Sequence, residues 1–506
     1  MSLVRSSLLV GLGAGASRIL GFARDVLFAQ ALGAGPVADA FLAAFRLPNL
    51  VRRVVGEGGL NPALIPALGR MEPEEAAPFA GDVMSVFALA VTGLTGLVIF
   101  AAGLVSFLLA PGLSSEDTLG LVALYTRLGF PSVIGVTLAS IGAALLNWHR
   151  RFTAATMAPL VVNSALIAML IALPLIGDVP LRTKAAWLAV AATLAGLVQL
   201  AIVALALTKG EPRPIRFRKP RWTPALRGIL LAVFPALVAS GAVQLFILAA
   251  TQVASFWPSG VSWLYYAERV MQLPLGLMGA LGASVLLPEL ALRHRAGEHE
   301  AIIAAQNKAM ELALLLALPA ATALAILAHP IASVLFERGA FSPQDADGTA
   351  AVLVGLSAAL PLAALSKVLS QTLFARGSLR GTLIATLAGL VATFVAAWGL
   401  GRLFGISGIA LGVAVGCATH VAMLAFLLAI VGLWRPDRAL GLRIVKIALA
   451  SLVLALGLFL AMKALPEPGL FALALLCVGG FVLYAVAALM LGAVTRDEIA
   501  QLMRKS

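Results

Sequence analysis

Between Ala80 and Ala110 the chain carries a single charged side chain, Asp82, across 31 residues, and apolar stretches of similar length recur along the whole sequence. A helix rises about 1.5 Å per residue and the hydrocarbon core of a bilayer is about 30 Å thick, so about 20 such residues suffice to cross it. In lipid the backbone N–H and C=O groups find no water and must pair within the segment, which restricts a spanning chain of this pattern to helices. The composition agrees: of 506 residues, 61% are hydrophobic and 12% charged. Soluble domains carry about 45–50% apolar and about 25% charged residues, so a water-soluble globular protein is excluded.

Pro, Gly and charged clusters punctuate the apolar runs and set the expected spans. These lie near Ser6 to Leu32, Val37 to Val55, Ala80 to Ala110, Leu119 to Leu146, Thr153 to Leu175 and Ala185 to Leu207. After a basic linker they continue near Ile229 to Phe256, Val261 to Leu292, Ala304 to Ala328, Ala346 to Phe374, Thr382 to Leu400, Ile406 to Leu433, Leu442 to Met462 and Leu470 to Leu491. The expected fold is an all-α polytopic membrane protein of about 14 transmembrane helices. Arg5 ahead of the apolar run Leu8 to Ala16 imitates a signal peptide, but that run continues to Leu32, so an uncleaved first span is expected.

The net charge of +13 follows the positive-inside rule rather than signalling nucleic acid. With Met1 cytoplasmic, alternate loops hold Arg52, Arg53 and Arg70; Arg150 and Arg151; the linker GEPRPIRFRKPRW from Gly210; Arg293 and Arg295; Arg376 and Arg380; and Arg435, Arg438, Arg443 and Lys446. The opposite loops, such as Gly33 to Pro36 and Pro466 to Gly469, are short and poor in base, with Arg182, Lys184 and Arg338 as exceptions. Both termini are therefore expected in the cytoplasm. The linker prolines forbid a continuous helix, and the linker arginines suit anionic headgroups. The chain divides into a first lobe over 1–208, the basic linker over 209–228, a second lobe over 229–433, and two further spans with a cytoplasmic tail over 434–506.

The two lobes look related. DAFLAAFRLP at Asp39 to Pro48 matches YYAERVMQLP at Tyr265 to Pro274, offset by 226, and Phe130-Pro131 before Arg150 matches Leu360-Pro361 before Arg380, offset by 230. Both pairs fall on equivalent spans six helices apart, an even number, which keeps the orientation and predicts two pseudo-symmetric six-helix lobes in a parallel repeat.

Charges inside these spans carry the functional information, because a mid-membrane Arg, Lys or Asp costs about 2.5–3.5 kcal/mol on insertion scales. The first span holds Arg18, Arg24 and Asp25; at 100° per residue Arg18, Gly21 and Asp25 share one line, with Arg24 at its edge. The second span holds Asp39 and Arg46, then Pro48, Asn49, Arg52, Arg53 and Glu57. Glu268, Arg269 and Gln272 sit within one turn of the eighth span, and Lys367 lies near Ser370 and Gln371 in the tenth. The pattern predicts a water-filled, cationic central cavity between the lobes. Pairing absorbs Asp25, Asp39, Glu57 and Glu268 but leaves cations in surplus. Because the planar guanidinium fork suits phosphate oxygens, Arg18, Arg24 and Arg269, with Arg52 and Lys367, are candidate ligands of an anionic substrate.

Other motifs are declined. Gly11, Gly13 and Gly15 imitate a dinucleotide loop without a preceding strand and instead predict close helix packing. His420, Cys417 and Cys477 are expected to be core residues, and the sequence offers no metal site and no P-loop.

SRILGFARD, ADAFLAAFRLPNLVRRVVGEGGLNPALIPAL and VSWLYYAERVMQLPLGLMGALGASVLLPEL closely resemble the signature regions of the MurJ (MviN) family of lipid II flippases, within the superfamily of multidrug and polysaccharide-precursor exporters. The resemblance implies a transporter without cofactor, resident in the bacterial inner membrane. It implies that lipid II, the undecaprenyl-diphosphate-linked peptidoglycan precursor, is moved from the inner to the outer leaflet. Membrane lipids and cell-wall synthesis proteins are the other implied partners, with no nucleic acid. By motif, the family's cavity arginines match Arg18, Arg24 and Arg269, with Asp39 and Arg52 in support and the last two spans as a groove for the lipid tail. Two departures stand out: Gln272 occupies a position where some relatives have a carboxylate, and the seventh span lacks an acid for the sodium site found in part of the family. A flippase for another polyprenyl-diphosphate glycan stays open as an alternative. A cation-coupled multidrug antiporter would place acids in the cavity, whereas this one is net basic.

Overall fold

The computed structural model describes residues 3–54, 61–69, 71–209, 215, 221–224, 226–228, 231, 241–281, 299–375 and 379–495. Among the described residues every regular element is helical. In chain order these are α1 (Leu3–Leu32), α2 (Pro36–Val54), α3 (Asn61–Gly69), α4 (Pro73–Phe100), α5 (Ala102–Leu109), α6 (Glu116–Gly129), α7 (Ser132–Trp148), α8 (Phe152–Ala172, extended by a 3-10 turn at Leu173–Ile176) and α9 (Leu181–Thr208). They continue as α10 (Ala242–Ala254), α11 (Gly260–Leu281), α12 (His299–Ile326), α13 (Ala328–Phe336), α14 (Pro343–Ala375), α15 (Leu379–Ile430), α16 (Arg438–Ala464) and α17 (Leu470–Met490). Nine helical stretches among the described residues are long and apolar enough to cross a membrane. The helices α1, α2 and α11 fall outside those nine. One compact unit is formed by residues to Gln244 with Ser255–Ser262 and Arg338–Phe341; the other by Leu245–Ala254, Trp263–Glu337 and the chain from Ser342.

In the first unit, local chemistry sets the helix ends. Ser115 caps α6, its hydroxyl accepting from the Thr118 N–H (3.2 Å), with Glu116 and Asp117 in the first turn facing the positive end of the helix dipole. Pro131 separates α6 from α7, and Pro73 opens α4. Arg182, an exception to the charge pattern, lies 3.5 Å from Asp117 on the surface. The interior is packed by Val83, Met84, Ile141, Leu145 and Val203, while Leu89, Leu97, Phe100, Leu104 and Leu194 point outward. Since lipid is as apolar as leucine, close packing rather than hydrophobic burial must hold these helices together. It does so where α7 meets α9: a Cβ on Gly135 would land on the Gly196 carbonyl, and one on Gly196 would lie 2.9 Å from the Ser132 oxygen.

Backbone contacts also bring the two short segments into this unit. Gly33, at φ +64°, faces the Ala340 carbonyl, and Gly339, at φ +62°, faces the Gln30 carbonyl, which accepts from the Ala340 N–H (2.9 Å). Gly112 donates its N–H to the Ser255 hydroxyl (2.8 Å). Of the three N-terminal glycines only Gly13 makes the expected close approach, to Thr156; Gly11 and Gly15 meet nothing within 4 Å.

In the second unit, α15 is a hairpin. Its 52 residues would run about 78 Å if straight, more than twice a bilayer core. Gly405 breaks the run at φ 62°, between the two spans expected from the sequence. Beyond it Gly408, Gly412 and Gly416 recur every four residues and lie against Leu400, Ala397 and Thr393, so the two arms pack antiparallel with almost no side chain between them. His420 is enclosed beneath the second arm: its Nδ1 lies 2.8 Å from the Ser366 hydroxyl, its Nε2 3.4 Å from that of Thr386, and its ring meets Phe246 edge-on. Cys417 is buried, but Cys477, expected in the core, is on the exposed face of α17, because that helix buries only the stripe through Leu473, Gly480, Tyr484 and Ala487. The α16–α17 pair is fastened to α12: the Tyr484 hydroxyl donates to the Leu315 carbonyl (2.7 Å), and Arg443 pairs with Glu311 (3.3 Å) while donating to the Ala493 carbonyl (2.7 Å).

Candidate functional site

On α1 the charged residues divide by environment. Arg24 and Asp25 are buried, 8% and 2% exposed, whereas Arg18, six residues earlier, stands exposed. Removing a guanidinium from water costs several kcal/mol unless its donors are satisfied. Here Arg24 Nε (3.0 Å) and Nη2 (2.7 Å) both donate to one oxygen of Asp25, and Nη1 donates to the side-chain oxygen of Asn163 on α8 (3.0 Å). The Phe28 ring centroid lies 5.5 Å from the guanidinium carbon, adding the attraction of its π face. Asn163 in turn donates its amide hydrogen to the Ser17 carbonyl (3.1 Å). Asp25 is the next residue, so that pair forms within α1; the Asn163 contact requires α8 to be packed alongside.

Asp39, almost completely buried on α2, has a different task. One of its oxygens accepts from the backbone N–H (2.8 Å) and the hydroxyl (2.5 Å) of Ser262, in the first turn of α11. A carboxylate at a helix N-terminus satisfies an otherwise orphaned donor and opposes the positive end of the dipole. Asn49 and Arg52 are half-buried further along α2. Glu57 lies outside the described residues.

In the second unit, Glu268 and Arg269 on α11 are buried, and Gln272 one turn later links them. Arg269 Nη1 donates to the Gln272 side-chain oxygen (3.2 Å), and the Gln272 amide donates to Glu268. The Arg269 guanidinium lies 4.4 Å from the Tyr265 ring centroid. Lys367 is exposed on α14, next to buried Ser370 and half-buried Gln371. The expected cluster on α11 is thus brought together, as is the Arg24–Asp25 pair. Sequence reasoning missed Asn163, Ser262 and the two aromatic faces. The one available signal was Asn163 itself, a lone amide in the apolar run of α8.

Among the described residues, then, two buried arginines, Arg24 on α1 and Arg269 on α11, are each held by side-chain hydrogen bonding and an aromatic face. That arrangement holds each guanidinium in a fixed orientation while largely shielding it from solvent.

The chain matches the family model described as lipid II flippase MurJ over residues 28–478. It is 39% identical over 352 residues to the probable lipid II flippase MurJ of Rhizobium meliloti (strain 1021), a stretch covering 68% of this chain and 65% of that protein. It is 30% identical over 466 residues to the lipid II flippase MurJ of Burkholderia cenocepacia, covering 90% of this chain and 89% of the relative. The fold matches a solved lipid II flippase MurJ in an inward closed conformation, with a TM-score of 0.78 and 23% identity over 95% of this chain and 98% of that one. It also matches an inward-facing multidrug MATE transporter of the MOP superfamily, with a TM-score of 0.65 and 17% identity over 85% and 95% of the two chains. The family match takes in α2, α11 and the hairpin alike, and this multi-pass membrane protein belongs to the lipid II flippase MurJ family.

Proposed function

We propose that this protein is a lipid II flippase, a transporter that moves the undecaprenyl-diphosphate-linked precursor from the inner to the outer leaflet of the bacterial cytoplasmic membrane by alternating access, with both termini cytoplasmic. The observation that carries the reading is Arg24: a buried, oriented guanidinium on a membrane helix of a chain in this family. Arg24, Arg269 and Arg18 bind the diphosphate, with Arg52 and Lys367 as further cationic contacts, while the polyprenyl tail stays in lipid against α16 and α17. Arg's fork offers paired donors to phosphate oxygens, which a point charge does not. Asp25, Glu268 and Gln272 hold the arginines, and Asp39, Asn49 and Glu57 support the gate. No ATP site is needed: one charge moved through 100 mV is worth about 2.3 kcal/mol, enough to bias direction.

The test is rescue of a bacterium depleted of its lipid II flippase, paired with an assay of lipid II in the outer leaflet. The wild-type chain should rescue. Arg24→Ala and Arg269→Ala, inserted at normal levels, should each cut outer-leaflet lipid II roughly tenfold or more, as expected for removing a charged hydrogen-bonding group. Failure of the wild type to rescue would overturn the substrate; wild-type transport by both variants would overturn the site.

A further inference from the structure

A guanidinium on a long flexible stem is a poor ligand until it is aimed. Asp25 engages two of the five N–H donors of Arg24 along one edge, and Asn163 engages a third from the side of α8. Asn163 is itself 8% exposed and held at both ends of its amide. Its oxygen faces a group that can only donate, and its nitrogen faces the Ser17 carbonyl, which can only accept. The reversed amide would set donor against donor and acceptor against acceptor, so each hydrogen bond fixes the other. The anchor at Ser17 lies on α1, two turns before Arg24, so the aim of the guanidinium is referred back to the helix that carries it.

The carboxamide also matters for its charge. A carboxylate in place of Asn163 would accept the same hydrogen bond but add a second negative charge beside the Arg24–Asp25 pair, turning the group net negative and repelling an anion. Gln272 repeats the device in the second unit. Its oxygen accepts from Arg269 and its amide donates to Glu268 on the same helix.

We propose that Asn163 is a positioning residue for substrate binding, which orients the Arg24 fork toward a lipid-linked diphosphate without neutralising it. This rests on the reading of Arg24 as a diphosphate ligand. Loss of the anchor makes binding bear the ordering of one long side chain, an expected weakening of roughly three- to tenfold.

The experiment is a double-mutant cycle on the full-length protein in lipid nanodiscs, with purified lipid II as the probe and undecaprenyl monophosphate as the comparison. Asn163→Leu should weaken lipid II binding by that factor and reduce the preference for lipid II over the monophosphate. Asn163→Asp should weaken it further. In the Arg24→Ala background Asn163→Leu should have no additional effect, because its influence runs through Arg24. If Asn163→Leu fails to reach the membrane, Asn163→Ser, too short to reach Arg24, takes its place in the cycle. Weakening by the same factor with and without Arg24 would overturn the positioning role and leave the Arg24 reading standing. Unchanged lipid II binding by Arg24→Ala alone would overturn that reading, and the inference with it.

Discussion

Asp39 shows how much one acceptor can carry when two donors from another helix converge on it. Asp39→Ala leaves the buried N–H and hydroxyl of Ser262 without that oxygen, a loss of about 1–3 kcal/mol. Asp39→Asn keeps an acceptor but gives up the charge opposite the helix dipole, worth about 0.3–1 kcal/mol. Thermal unfolding of the solubilised protein should therefore rank wild type above Asn and Asn above Ala; equal midpoints for Asn and Ala would mean the hydrogen bonds do not matter. The same residue marks what was legible in the sequence. The sequence placed Asp39 in one span with Arg46, but its partner Ser262 is 223 residues away. The Asn163 contact with Arg24 spans 139 residues. Partners at such separations leave no periodic trace, whereas Arg24–Asp25 and the Glu268, Arg269 and Gln272 group close within one turn and could be read directly.

Helices declared themselves in the sequence wherever they were apolar. The expected spans from Ala80 onward coincide with α4 to α9, α12 and α14 to α17 over most of their length, because twenty uncharged residues in a row have few alternatives to a helix in lipid; the short α13 falls between two expected spans. The second expected span agrees with α2, and the eighth agrees with α11 as far as Leu281. What spacing did not reveal is how close the elements come. In the α15 hairpin a Cβ on Gly412 would lie 2.6 Å from the Ala397 nitrogen, and backbone cannot swing aside. Gly412→Leu should therefore cost at least the roughly 1–3 kcal/mol typical of overpacking. Gly399, on the first arm with nothing within 4 Å of a built Cβ, is the control: Gly399→Ala should be neutral or gain up to about 1 kcal/mol from helix propensity. The melting temperatures of the two variants check the contrast, and equal destabilisation would refute the glycine-seam account.

For the whole molecule, the proposed orientation places the α16–α17 turn outside and the approach to α16 inside. Both Glu467 and Arg438 are exposed. In a background with Cys417→Ala and Cys477→Ala, a water-soluble maleimide applied to intact cells should label Glu467→Cys at once and Arg438→Cys only after permeabilisation. The reverse order would invert the topology. The α15 hairpin has a bearing on how such a molecule is made. From Leu379 to Ile430 the sequence contains two cationic side chains besides His420, Arg380 at the start and Arg402 just before the turn, where it lies over the Trp398 ring. As the ribosome releases this stretch, the two arms can close on each other through main chain and glycine alone. They would then enter the bilayer together, with one arginine accompanying the turn, as a finished piece against which α16 and α17 have yet to be synthesised.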